Sequence, residues 1–78
     1  MKPPNSTSLN NELRQFRIGA GLTQQGLAER VGVTRKTINT VENSVFVPST
    51  VLALKLARAL ETDVHALFQL PTTDDLQK

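Results

Sequence analysis

The sequence predicts an all-α fold, a compact five-helix bundle in which the second and third helices are joined by a very tight turn. Three observations predict it. Apolar residues recur at steps of three and four between Leu9 and Phe68; Ser, Thr or Asp stands just ahead of each such run, where a helix needs a cap; and no stretch alternates as a half-buried strand does. A short extended piece at Gln69 and Leu70 is compatible with the same pattern.

The elements follow in order. Ser8 is placed to cap a first helix carrying Leu9, Leu13, Phe16 and Ala20 on one face, weakened and ended by Gly19 and Gly21. Thr23 caps a second helix with Leu27, Ala28 and Val31 turned inward, and Gly32 supplies a left-handed stop. Only Gly32 and Val33 separate it from Thr34, the cap of a third helix running through Asn43 with Ile38 and Val41 inward, a connection so short that the two helices must cross steeply. Ser44 to Pro48 interrupts the pattern. Ser49 then starts a fourth helix with the stripe Leu52, Leu56, Ala57 and Leu60, and Asp63 caps a last turn holding Val64, Leu67 and Phe68 before Pro71 stops it. The expected organisation is a flexible arm over residues 1–8, one domain over 9–70 and a flexible acidic tail over 71–78.

Composition removes several classes of function. A chain of 78 residues makes one domain at most and buries only ~60% of the surface that its unfolded form exposes. Cysteine, Trp and Tyr are absent and His65 is the lone histidine, so disulfides, thiolate metal sites and redox chemistry are not expected, nor is any metal or cofactor. An enzyme is not expected either: the Ser and Thr residues are explained by caps, Asp74 and Asp75 lie in the tail, and no glycine-rich phosphate loop is present. No apolar run approaches the ~20 residues that span a bilayer, and Met1-Lys-Pro-Pro4 lacks the apolar centre of a signal peptide, so a cytoplasmic protein without membrane contact is expected. The net charge of +2 is unevenly divided: residues 1–60 hold eight Lys or Arg against Glu12, Glu29 and Glu42, whereas the remainder holds Glu61, Asp63, Asp74 and Asp75 against Lys78. A basic body of this kind favours a polyanion.

The third helix carries the chemistry. At ~100° per residue, Arg35, Lys36, Asn39, Thr40 and Asn43 share an arc of about 140°, with Ile38 and Val41 roughly opposite. Arg can grip guanine O6 and N7 with two bonds, Asn can pair adenine N6 and N7, and a Thr methyl can meet the thymine methyl. An ordinary solvated helix face has the same composition; what separates the two is the neighbouring helix. Gln24, beside the Thr23 cap, stands where free amides and a positive dipole end can hold a phosphate, and Ala28 is small where two helices must approach most closely.

Residues Gly21 to Asn43, followed by Pro48-Ser49 and Leu52, Ala53, Leu54, Leu56, Ala57 and Leu60, resemble the lambda-repressor-like helix-turn-helix domains of phage Cro and repressor proteins and their bacterial relatives. The resemblance covers residues 9 to 68. Its specificity lies in the joint occurrence of Thr23-Gln24, Ala28, Gly32, Thr34, Glu42-Asn43 and Pro48-Ser49 at family spacing. It implies a sequence-specific, double-stranded-DNA-binding transcriptional regulator, expected to be a repressor, whose third helix enters the major groove. Base reading would fall to Arg35, Lys36, Thr40 and Asn39, phosphate contacts to Gln24, Thr23, Thr37 and Asn43, and Arg17 with Glu42 would form a charged pair tying the first helix to the third. Such proteins bind palindromic operators as homodimers, which points to Phe46, Val64, Ala66, Phe68 and Leu70 as candidate dimer contacts. Two other readings use the same fold: an antitoxin or protein-interaction module, and the DNA-binding part of a longer ligand-responsive regulator.

Three positions depart from the family pattern. Gly26 stands where a Glu usually completes a capping box, Ser44 replaces a glycine, which makes a left-handed residue there strained or absent, and Val45-Phe46-Val47 puts apolar residues where relatives often carry lysine. That patch is expected either to make a dimer contact or to pack onto the fourth helix.

Overall fold

The computed structural model describes residues 9–70, so the expected terminal arm, Ser8, Pro71 and the acidic tail lie outside the described residues. Five helices form: α1 Leu13–Gly19, α2 Gln24–Val31, α3 Arg35–Glu42, α4 Thr50–Ala59 and α5 Val64–Leu67. A two-residue antiparallel ribbon, β1 Asn10–Asn11 with β2 Phe68–Gln69, closes the chain on itself through the pairs Asn10 with Gln69 and Asn11 with Phe68.

Four of the helices start where their caps dictate. The side-chain oxygens of Thr23, Thr34, Ser49 and Asp63 accept from the backbone N–H groups of Gly26, Thr37, Leu52 and Ala66, each satisfying a donor that the first turn of a helix leaves without a partner. Gly26 thus receives the forward half of a capping box and cannot return the other. Gly32 sits at φ 79° and ends α2 in the left-handed region, its N–H and that of Val33 both reaching the Ala28 carbonyl. The turn into α3 is complete two residues later.

The first helix starts later than its apolar spacing suggests. It begins at Leu13, not at Leu9, because residues 10 and 11 pair with 68 and 69, and the Glu12 N–H goes to the Leu67 carbonyl at 2.9 Å. Asn11 does the capping work, its Oδ1 accepting from the Leu13 N–H at 3.2 Å. Leu9 still packs against the core, but from an extended segment, whereas Ala20 is exposed beyond the helix end. A ribbon of two residues is too short to show alternation, so the sequence pattern reads as helix throughout.

The core contains Leu13, Leu27, Ala28, Val31, Ile38, Val41, Leu52, Leu56, Ala57, Leu60, Leu67 and Phe68, drawn from all five helices and β2. Ala28 is completely buried between α2 and its neighbours, so a larger side chain there would force the helices apart. Phe68 is buried as well, at 9% exposure, which removes it from the candidate dimer contacts: its ring is already spent on the protein's own interior.

Candidate nucleic-acid interface

Ile38 and Val41 are buried in the core, and this fixes the rotation of α3 about its axis. The opposite flank faces outward, with Arg35, Lys36 and Asn43 exposed and Thr37, Asn39 and Thr40 half-buried. The Thr34 hydroxyl lies 3.2 Å from that of Thr37, and the Thr40 hydroxyl donates to the Thr37 carbonyl at 3.0 Å, which turns both polar groups of these threonines along the helix. The amino end of α2 lies beside this flank, joined to it through Gln24.

Glu42, at the inner end of α3, is the one buried charged residue among those described, with a side chain entirely shielded from solvent. Its carboxylate is surrounded by donors. Arg17 gives it Nε and, at 3.2 Å, Nη2; Arg14 gives Nε at 3.3 Å; and Gln24 gives Nε2 at 3.1 Å. Arg17 also donates Nη1 to the Leu22 carbonyl at 2.9 Å, so a single guanidinium ties α1, the turn after it and α3 together. Burial alone would raise the carboxyl pKa; the hydrogen bonds from Arg17, Gln24 and Arg14 and the charge of Arg17 outweigh it and hold Glu42 below its ordinary 4.5.

Because these end groups can act in only one sense, they orient the three amides between them. A carboxylate only accepts, so Gln24 must turn its NH2 toward Glu42, and the same NH2 reaches Asn39 Oδ1 at 3.2 Å. A backbone carbonyl only accepts, so Asn43 turns Nδ2 to the Asn39 carbonyl at 2.9 Å and to Asn39 Oδ1 at 3.1 Å. A guanidinium only donates, so Arg14 Nη2 meets Asn43 Oδ1 at 3.2 Å and Arg35 Nη1 approaches Gln24 Oε1 at 3.5 Å, the long limit for such a contact.

Two residues expected to contact phosphate are engaged in this network. Both donors of the Gln24 side chain are used inside the protein, and the Asn43 amide is engaged at both of its ends. Their side chains brace α3, which spacing could not reveal because Gln24 reaches Asn39 and Glu42, 15 and 18 residues away, and Asn43 meets Arg14, 29 residues away. Arg14 escaped the sequence reading altogether. It is half-exposed at 52%, beside Asn43, and the signal that could have found it is its place three residues before Arg17, on the same face of α1.

The loop after α3 turns on Ser44, whose φ of 62° is the left-handed conformation that a glycine would adopt more easily. Asn11 spans the gap behind it, donating to the Val41 carbonyl at 3.1 Å and to Ser44 Oγ at 3.3 Å. Val45, Phe46 and Val47 follow and are exposed, with Phe46, 47% exposed, lining a shallow pocket beside Val51, Leu52 and Lys55 of α4. Val51, Leu54 and Leu70 are exposed as well, Val64 and Ala66 half-buried. No helix among the described residues is long and apolar enough to cross a membrane.

Comparison with known proteins agrees with this architecture. A helix-turn-helix family profile matches residues 13–67, most of the chain. The chain belongs to the Cro/C1-like helix-turn-helix family. It is 37% identical over 62 residues to the HTH-type transcriptional regulator YgzD of Bacillus subtilis, covering 80% of this chain and 94% of that protein. Among solved structures, the restriction-modification controller protein C.AhdI of Aeromonas hydrophila superposes with a TM-score of 0.66 at 37% identity, over 69% of this chain and 82% of the other. SinR, a master regulator of biofilm formation solved in complex with DNA, superposes with a TM-score of 0.64 at 28% identity, over 68% of this chain and 86% of that one. The helix-turn-helix relatives are transcriptional regulators, and DNA binding is the property of this family.

Proposed function

We propose that this helix-turn-helix protein is a sequence-specific transcriptional repressor that lays α3 in the major groove of double-stranded DNA. The observation that carries the reading is the outward flank of α3: Arg35 and Lys36 are exposed at its first turn, on a helix whose other face is locked into the core and whose inner end is held by a buried ion pair. That combination presents charged donors from a rigid base, as base reading requires. Arg35, Lys36, Asn39 and Thr40 read base edges. Asn39 offers its NH2, since its Oδ1 is taken by Gln24 and Asn43.

Phosphates are held beside this helix by the first-turn N–H groups of α2 at Gln24 and Gln25, with the Thr23 and Thr37 hydroxyls and Arg14 next to Asn43. Residues 9–70 form the DNA-binding unit, acting in the cytoplasm. One recognition helix reads only a few base pairs, so two copies bind a palindromic site with half-sites about 34 Å apart. The exposed apolar residues Phe46, Val51, Leu54 and Leu70, with Val64 and Ala66, are the surface on which they pair.

Selection of preferred duplexes from a random pool tests this. Arg35→Ala is expected to weaken binding to the selected site by ~1 to 3 kcal/mol and to relax choice at one base pair, and affinity is expected to fall steeply with salt. An Arg35→Ala protein that binds the selected site as the unaltered protein does would remove α3 from base reading.

A further inference from the structure

We propose that Glu42 and Gln24 are positioning residues for base selection: the buried carboxylate sets the sense of the Gln24 amide, and Gln24 thereby aims Arg35. The inference rests on the DNA-binding reading above and departs from the expectation that the Gln24 side chain clamps a phosphate. It follows from donor and acceptor chemistry. Gln24 Nε2 lies 3.1 Å from Glu42 Oε1 and 3.2 Å from Asn39 Oδ1, two acceptors, so reversing the amide would set three oxygens against one another around a buried charge. With the NH2 held inward, Gln24 Oε1 is left as an outward acceptor, and Arg35 Nη1 reaches it at 3.5 Å.

Arg35 is the exposed partner, and its guanidinium otherwise has the full freedom of a long side chain. One N–H resting on Gln24 restricts that freedom and leaves the remaining donors of the planar fork for a base edge. Glu42 itself is wholly shielded and touches no surface. Its bearing on base choice runs through Gln24, and its donors Arg14 and Arg17 keep it ionised and able to orient the amide. A neutral amide in its place, as in Glu42→Gln, can present either an oxygen or an NH2 to Gln24, which releases the sense of the chain of contacts.

The test uses Gln24→Met, which keeps the length of the side chain without its polar atoms, and Glu42→Gln, measured on the whole chain against the selected duplex and its single-base variants. Both are expected to lower the preference for the base pair read by Arg35 by tenfold or more, with non-specific affinity changed less than about threefold. Equal loss on all duplexes from Gln24→Met would overturn the proposal and return Gln24 to phosphate holding. A second readout needs no DNA and a folded protein only. In the free protein, the Gln24 side-chain NH2 resonances should be well separated and slow to exchange, and Glu42→Gln should shift the Arg35 side-chain N–H signal through Gln24. Unmoved Arg35 signals in a folded Glu42→Gln or Gln24→Met protein would sink the relay. Failure of the unaltered protein to select any sequence would instead count against the DNA reading, the relay still being decided by those signals.

Discussion

Among the polar residues, Glu42 bears directly on stability. Its charge is buried, and breaking such a pair by removing one partner costs more than the pair contributes, because the other charge is stranded. Arg17→Ala is therefore expected to destabilise the fold by ~3 kcal/mol, read by urea denaturation at neutral pH. The pH dependence has a defined sign. A carboxyl whose pKa is depressed in the folded protein contributes stability that is fully present above its unfolded value and is lost as pH falls through the folded one. The stability advantage of the unaltered protein over Glu42→Gln should accordingly shrink as the pH is lowered below about 4.5, and a constant gap down to pH 3 would show that the charge of Glu42 does not matter. Ser44 and Glu61 carry the opposite kind of effect. Both follow a helix with φ near +60°, where an L residue is strained by about 1 kcal/mol or more. Glu61→Gly should raise stability by about 1 kcal/mol and Ser44→Gly by less, since the latter also gives up the Asn11 contact with Ser44 Oγ. Thermal melts of the two variants compare them directly.

Helices this short depend on their ends. The longest, α4, has 10 residues, and α2 and α3 have 8 each, below the length at which an isolated helix persists in water. Caps and tertiary packing must hold them, and the Thr34 cap on α3 bears on both folding and binding, since its hydroxyl also lies against Thr37. Thr34→Ala is expected to cost ~1 kcal/mol in denaturation and to loosen the first turn, where Arg35 and Lys36 project, so affinity for the selected duplex should fall with it. These caps were legible because capping is a local bond, made within three residues of the apolar run it precedes. The late start of α1 was not legible. Leu9 and Leu13 stand four apart like the residues of any helix, and only the pairing of residues 10 and 11 with 68 and 69, across the length of the chain, put the first of them in the extended segment ahead of β1.

At the scale of the whole molecule, the apolar surface around Phe46, Val51, Leu54 and Leu70 lies on the domain that carries α3, so pairing through it would set the distance between two recognition helices. Leu54→Glu, a surface change at a residue 54% exposed, should leave the monomer fold intact while lowering the dimer fraction in sedimentation and the affinity for a two-half-site duplex. Affinity for a single half-site should be unaffected. A variant that sediments and binds as the unaltered protein does would place the pairing surface elsewhere. The five-helix order, the inward faces of α2, α3 and α4 and the outward flank of α3 were readable from the chain, because periodicity and capping act between residues a turn apart. Tertiary structure alone decided which polar groups beside that flank are bonded within the protein. Whether the amide of Gln24 faces outward or inward depends on a carboxylate 18 residues away and on guanidinium groups from another helix, and hydrogen-bond direction between distant residues leaves no periodic trace in a sequence.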